Sequence, residues 1–321
     1  MSLDTVHRHA AARWRRELIA LGALLVGLVG FALGRFWAQH LMPQIGLLCL
    51  VCAALCLVGR MWVASIFWAG AGIVPLLQVL PLYLAQHAAV RPGCRFNVLT
   101  FNQLENNPDT IGAARLIGRL RPDILFAEKV YAPDEFRQLL AQEFPDYSIA
   151  AVGQLLILSR FPISQNADLR FGMSADTTIA GRPIRLLNIY MTRPNADLAK
   201  YGSDYARLYG WLHQQQGPLV VAGDGNTTSF APEMASIRGV LKDSWDEAGW
   251  GIGATFPGPW RRAGLLGPLM RIDYIMHDGA FDTLAAHRID NAAGAGHYPI
   301  VADLVLAGAG TPGAACDGST K

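Results

Sequence analysis

The chain has 321 residues, 52% of them hydrophobic and only 16% charged, with a formal net charge of +2. That length exceeds one average domain and suits a core of roughly 200 residues plus a smaller part. So apolar a composition excludes an ordinary soluble protein, and so small a net charge excludes a chain-wide electrostatic case for nucleic acid or an anionic membrane surface.

The apolar excess lies before Gln86. Leu18–Gly34 is an uncharged run of about the length that crosses the hydrocarbon core, roughly 17–25 residues. A second run covers Leu41–Gly59 and a third Met61–Ala85, with Pro43, Pro75 and Pro81 near span ends or where helices cover one another. A signal peptide is disfavoured for the first run, because no small-x-small cleavage site stands out and two further runs follow. Cys49, Cys52 and Cys56 share one helical face, and without a neighbouring His or carboxylate they read as packing residues rather than a metal site. With the amino terminus inside, Arg8, Arg13, Arg15, Arg16 and Arg60 face the cytoplasm, against Arg35, Arg91 and Arg95 outside. This bias places the globular part on the extracytoplasmic side of a multi-pass inner-membrane protein. Two spans, or a re-entrant hairpin around Arg60, would reverse that side. The expected division is a basic segment 1–17, a membrane domain 18–87, a globular domain 94–306 and a disordered tail 307–321, rich in Gly and Thr. Cys94 and Cys316 flank the globular part and could pair in an oxidising compartment.

From Arg91 the pattern changes to short β-like runs, turns and a few helices. "FNVLTFN" (Phe96–Asn102) alternates and predicts a strand. Pro108-Asp109-Thr110 opens a helix to Leu120, with Ile111, Ala114, Leu116 and Ile117 on its apolar face. "PDILFAE" is a buried strand ending in a carboxylate, and a helix is expected over Asp134–Phe144. "LLILSRFPI", "PIRLLNIYM", "PLVVAGD", "RIDYIMH" and "PIVADLVL" read as further strands, with a helix over Tyr205–Gln216. Several strands are apolar on both faces, as in a sandwich covered by helices.

Polar groups recur where these strands stop. Asn102 ends the first, Glu128 the second, and Tyr190 lies near the end of "PIRLLNIYM". Asp224 and Asn226 follow "PLVVA", Asp273 lies within "RIDYI", and His297 precedes the final strand. Taken singly each has a plainer reading: a solvated strand-end carboxylate, an Asp-x-Asn turn, a structural histidine. Asp273, between Ile272 and Tyr274, is the most telling, because carboxylates are seldom buried without a partner. Carboxylate and amide oxygens suit a hard cation such as Mg²⁺ or Mn²⁺. A phosphate ester needs that cation, donors for its oxygens and a group to orient water.

In order and spacing these pieces resemble the endonuclease/exonuclease/phosphatase superfamily. The matching segments are "LTFN", "PDILFAE", "LILSRFPI", "AGDGNTT", "ATFP", "RIDYI" and "GHYPIVADL", spanning nearly all of residues 96–306. The three preceding apolar runs are similar to a membrane-bound bacterial branch. The resemblance implies a four-layer α/β sandwich, DNase I-like, preceded by transmembrane helices. It implies Glu128 and Asn102 as ligands of Mg²⁺ (or Mn²⁺), and Asp224 and Asn226 orienting water and phosphate, with Asp224 the general base. It further implies that Asp273 orients His297, and that His297 stabilises the transition state or protonates the leaving group. Tyr190, in "NIYMTRPN", matches the exonuclease III-like variant.

Four positions depart from the family pattern. Ala127 replaces the usual Gln before Glu128, Gly225 replaces an apolar residue between Asp224 and Asn226, and Tyr190 replaces His. Gly296 replaces the Asp before His297, which removes a negative charge beside the cation and weakens metal affinity. The expected function is a membrane-anchored, metal-dependent phosphoesterase acting on a phosphodiester, lipid phosphate or nucleic acid. The alternative is a degenerate domain that binds a phosphorylated ligand or partner without turnover. Residues 94–306 carry no dense basic and aromatic cluster for a DNA groove. Arg261 and Arg262 beside Trp260 read as a solvated loop with an option to touch phosphate. Anchoring favours lipid phosphate and the bilayer as partners, with no protein partner implied.

Overall fold

The computed structural model describes residues 3–33, 39–84, 89–104, 106–130, 133–259, 264 and 267–317. The chain forms two units, Met1–Tyr83 and Leu84–Lys321.

In the first unit, α1 spans Leu3–Leu33, α2 Met42–Val58 and α3 Trp62–Val79. Among the described residues two helical stretches, Gln39–Val58 and Trp62–Tyr83, are long and apolar enough to cross a membrane. The first expected span forms the carboxyl-terminal half of α1 and continues into residues outside the described set. The arginines that precede it do not form a separate segment, because Arg is a good helix former and α1 runs through them. Glu17, buried on α1, accepts a hydrogen bond from Ala64 N at 2.8 Å and so satisfies one of the orphan donors opening α3. Gly46 and Gly72 bring α2 and α3 close: a Cβ on Gly72 would stand 2.8 Å from Gly46 O. Cys49 and Cys56 are buried and Cys52 half-buried, all as free thiols.

The second unit contains β1 (Gly93–Asn102), α4 (Thr110–Leu120), β2 (Ile124–Glu128), α5 (Pro133–Glu143), β3 (Ser148–Val152), β4 (Leu155–Ser159), β5 (Ile163–Asp168), β6 (Gly172–Ile179) and β7 (Arg182–Tyr190). It continues with α6 (Leu198–Leu212), β8 (Leu219–Asp224), α7 (Pro232–Arg238), β9 (Lys242–Asp243), α8 (Ser244–Ala248), β10 (Asp273–His277), β11 (Phe281–Arg288) and β12 (Ile300–Ala307). One sheet has the order β11-β12-β1-β2-β4-β3, the other β5-β6-β7-β8-β10-β9. Each is antiparallel except for a central parallel pair, β1–β2 and β7–β8.

Strand alternation sorts the side chains into layers. Phe96, Val98, Ile124, Phe126 and Ile157 of the first sheet meet Ile184, Leu186, Val220, Ala222 and Ile275 of the second in one core. The opposite face of the first sheet, with Leu99, Phe101, Leu125 and Leu158, packs on Ala113, Leu116 and Ile117 of α4 and Phe136 and Leu140 of α5. Leu187, Ile189, Leu219 and Val221 on the other face of the second sheet are also buried, and the buried faces of α6 and α7 supply the fourth layer.

Three local expectations are corrected. "LLILSRFPI" is two strands in different sheets, because the chain leaves β4 at Ser159 and enters β5 at Ile163 across Pro162, which cannot donate to a ladder. The helix expected over Tyr205–Gln216 starts at Leu198, where the Asp197 side chain caps Lys200 N at 2.9 Å, and stops at Leu212. The tail is not disordered over residues 308–317. Cys94 and Ala309, Arg95 and Ala314, and Cys316 and Arg95 share backbone hydrogen bonds, and Cys94 is disulfide-bonded to Cys316. Glycine content suggested disorder there, but the turns bring the chain back along β1.

Candidate active site

Asn102, Glu128, Tyr190 and Asp224 each end an alternating core series, and Asp273 opens the antiparallel strand β10 at the same end of its sheet. After Phe96 and Val98 the inter-sheet face of β1 continues as Thr100 and Asn102; after Ile124 and Phe126 that of β2 ends in Glu128. Ile184 and Leu186 lead to Asn188 and Tyr190, and Val220 and Ala222 lead to Asp224. Register then aligns these ends. Asn102 is opposite Glu128 in one sheet, while Tyr190, Asp224 and Asp273 form a row across the other. The apolar core thus closes, at one end, on a set of polar side chains.

The two rows touch. Asn102 Nδ2 donates to Asp224 Oδ2 at 2.7 Å, joining the sheets. His297 Nδ1 lies 2.8 Å from Asp273 Oδ2, and its Nε2 lies 4.0 Å from Asp224 Oδ2. The His297 ring packs on Phe256 of "ATFP", with centroids 5.0 Å apart. Asn226 has φ 49°, a left-handed conformation that Asn tolerates, so its amide reaches back to Asp224 Oδ1 at 2.7 Å. Its side-chain NH₂ donates to Met191 O at 2.7 Å, tying the loop after β8 to the end of β7.

Burial sets the electrostatics. It raises the Glu128 carboxyl well above the ordinary range, reinforced by the charges of Asp273 and Asp224. Burial likewise raises Asp224, partly offset by His297. For His297, burial disfavours the imidazolium, but Asp273 and Asp224 outweigh it and raise the proton affinity. Glu128 Oε1 accepts from Thr100 Oγ1 at 3.4 Å, whereas Oε2 is buried without a hydrogen-bond partner. An orphaned buried carboxylate oxygen beside further oxygen donors fits a hard divalent cation. Asp224, Asp273 and His297 also present ligand atoms within 4.8 Å of one another, an acidic and histidine cluster that could hold a metal ion.

The expected residues Asn102, Glu128, Asp224, Asp273 and His297 therefore converge, with Asn226 bracing the loop and Tyr190 beside Asp224. Arg261, Arg262 and Trp260 lie outside the described residues. Sequence reading passed over several neighbours. Lys129, 6% exposed and at φ 51°, places its Nζ 5.2 Å from the Tyr190 ring centroid. A lysine directly after a strand-end carboxylate was the available signal. Tyr205 OH donates to Gly225 O at 2.7 Å, Tyr201 OH to Thr227 Oγ1 at 3.0 Å, and Tyr274 OH to Thr227 O at 2.9 Å. A Cβ on Gly225 would stand 3.1 Å from the Tyr205 hydroxyl and 3.2 Å from the Tyr274 ring. The space of the larger residue missing at Gly225 is thus taken by two tyrosines.

Two six-stranded sheets closing on such a cluster define the DNase I-like class of α/β sandwich. The chain belongs to the endonuclease/exonuclease/phosphatase family, whose model matches residues 96–302. Among solved structures it is similar to the endonuclease/exonuclease/phosphatase from Bacteroides vulgatus, with 17% identity and a TM-score of 0.56, covering 66% of this chain and 99% of that one. A family protein from Bacteroides thetaiotaomicron gives 14% and 0.55, covering 67% and 98%. Truncated Caenorhabditis elegans TDP2 gives 18% and 0.55, covering 66% and 98%. A search of curated proteins found no match.

Proposed function

We propose that this protein is a membrane-anchored phosphoesterase that uses Mg²⁺ or Mn²⁺, held by Glu128 and Asn102, to hydrolyse a phosphodiester or lipid phosphate. The observation that carries the reading is the closure of the inter-sheet core on two registered rows, Asn102–Glu128 and Tyr190–Asp224–Asp273, with His297 held by Asp273 of the second row. When bound, the cation neutralises charge developing on the phosphoryl oxygens. Asp224, its proton affinity raised by burial, accepts the proton of the attacking water. Asp273 accepts from His297 Nδ1 and, with Asp224, favours the imidazolium, whose Nε2–H is the proton to give to the leaving oxygen. Asn226 holds the loop that presents Asp224.

Two apolar helices support the anchor. The Cys94–Cys316 disulfide supports an extracytoplasmic globular unit, since such bonds are rare in reducing compartments. Anchoring near headgroups supports a lipid phosphate over nucleic acid. A second reading, ligand binding without turnover, draws on Gly296, which offers no carboxylate before His297 and whose carbonyl accepts from Gly258 N at 2.7 Å.

The full-length protein in detergent, assayed with Mg²⁺ against lipid phosphates, sphingomyelin and DNA, tests the proposal. Hydrolysis of one class is expected, and Glu128→Ala or His297→Ala should each lower it by roughly 100-fold or more. Full retention in both variants refutes the assigned roles. Mg²⁺-independent ligand binding with no turnover on any substrate selects the second reading.

A further inference from the structure

The helices that cover the second sheet enclose a cavity of about 300 Å³, large enough for a small ligand. Gly202, Tyr205, Ala206 and Tyr209 of α6 form one wall, and Glu233, Ser236 and Ile237 of α7 form the other. Asp224 and its partners belong to the opposite, inter-sheet face of that sheet. Glu233 is the one charged side chain among the described lining residues. Its Oε2 is buried with no hydrogen-bond partner, and Arg238, the only basic residue of α7, pairs with Asp246. A carboxylate oxygen without a donor, beside open space, suits a ligand that brings positive charge and N–H groups. The rest of the wall selects the kind of cation. A divalent metal needs several oxygen ligands, which a single carboxylate does not supply. Tyr205 and Tyr209 offer aromatic surface, which attracts an ammonium and packs against alkyl carbon, as do Ala206 and Ile237. An anion would meet the Glu233 charge, and a neutral apolar ligand would leave its oxygen without a donor. Gly202 keeps the wall open, since a Cβ there would meet nothing within 4 Å.

We infer that the cavity between α6 and α7 binds a small molecule bearing a primary alkylammonium group. The ammonium lies at Glu233 and the alkyl part against Tyr205, Tyr209 and Ile237. The site does not depend on phosphoester chemistry at Asp224. Tyr205 nevertheless joins the two places, because it lines the cavity and its hydroxyl donates to Gly225 O at 2.7 Å.

Calorimetric titration of the full-length protein in maltoside detergent tests this, with n-butylammonium and its neutral counterpart 1-butanol as probes. Wild type should bind n-butylammonium roughly tenfold more tightly than 1-butanol. Glu233→Gln should weaken n-butylammonium by roughly tenfold and leave 1-butanol within about twofold of wild type. Gly202→Leu, which adds bulk where a Cβ meets no neighbour, should abolish n-butylammonium binding. Its thermal midpoint should not fall, since Leu is the better helix former. Equal binding of the two probes by wild type, or no binding of n-butylammonium, overturns the inference. So does an n-butylammonium affinity unchanged in Glu233→Gln or retained in Gly202→Leu. Repeating the titration with phosphatidylethanolamine in the micelles distinguishes the source of the amine. Competition assigns the site to a lipid headgroup, and its absence to a free amine.

Discussion

At Gly225, between the carboxylate of Asp224 and the left-handed Asn226, a missing side chain is replaced from elsewhere in the chain. Tyr205, fully buried on α6, fills the space and donates to the Gly225 carbonyl. Tyr201 and Tyr274 hold Thr227 two residues on. Three hydroxyls thus pin the loop that follows Asp224 and carries Asn226, and burial raises the proton affinity of all three phenols, so they remain donors. Tyr205→Phe should cost about 1 kcal/mol in thermal denaturation and lower kcat with little change in KM, because it loosens the loop without removing a substrate contact. Gly225→Phe should be poorly tolerated alone and better tolerated with Tyr205→Ala. A double-mutant cycle with no coupling between the two positions would contradict this account.

At the scale of elements, the terminal strap ties the chain end to the first sheet. Residues 308–317 run along β1 with hydrogen bonds from Gly308 N to Pro92 O and from Gly313 N to Gly93 O, and Ala180 N donates to Asp317 O. Arg160 Nη2 adds a hydrogen bond to Cys316 O at 2.8 Å. The Cys94–Cys316 bond closes a loop with a sequence separation of 222, so it restricts nearly the whole unfolded globular unit. Its loss, by reduction or Cys316→Ser, should lower the unfolding midpoint of that unit by roughly 5–10 °C. A midpoint unmoved by reducing agent, with both thiols then open to alkylation, would show that the strap holds without the bond.

For the whole molecule, the closure of an apolar core on carboxylates makes stability depend on protons and cations. Burial raises the proton affinity of Glu128 and Asp224, and the two aspartates raise that of His297 against burial. All three groups have folded-state values above their unfolded ones. The folded chain therefore holds extra protons, and stability falls as pH rises through the window above the ordinary carboxylate range. Glu247 has the opposite sign. Burial would raise it, but hydrogen bonds from His277 and Lys242 bring it down to about 2, so its contribution is lost only as pH falls toward that value. Without divalent metal, the globular unit should melt higher near pH ~5 than near pH ~8, and Mg²⁺ should raise the midpoint mainly at the higher pH. Equal midpoints at both pH values in chelator, and no response to Mg²⁺, would count against a cation at Glu128.

Much of this was legible in the sequence because two periodicities are local. The alternation in "FNVLTFN" and "PLVVAGD" gives strands whose inward series ends in Asn102 and Asp224, and the Asp109 cap marks the start of α4. Other features depend on partners distant in the chain. Nothing local tells that "LLILSRFPI" divides between two sheets, that glycine-rich residues after Ala307 return to β1, or that Asn102 reaches Asp224 across 122 positions. The place of Lys129 beside the Tyr190 ring was not legible either, since it follows from a left-handed turn and from a residue on another strand. The sequence by itself determined the strands, the family and the polar residues at the strand ends, because these follow from side-chain period and residue type. Only the tertiary structure decided which of those ends share a row, which oxygen is left without a hydrogen-bond partner and which lysine stacks on Tyr190, because register, burial and contact arise only when distant segments pack.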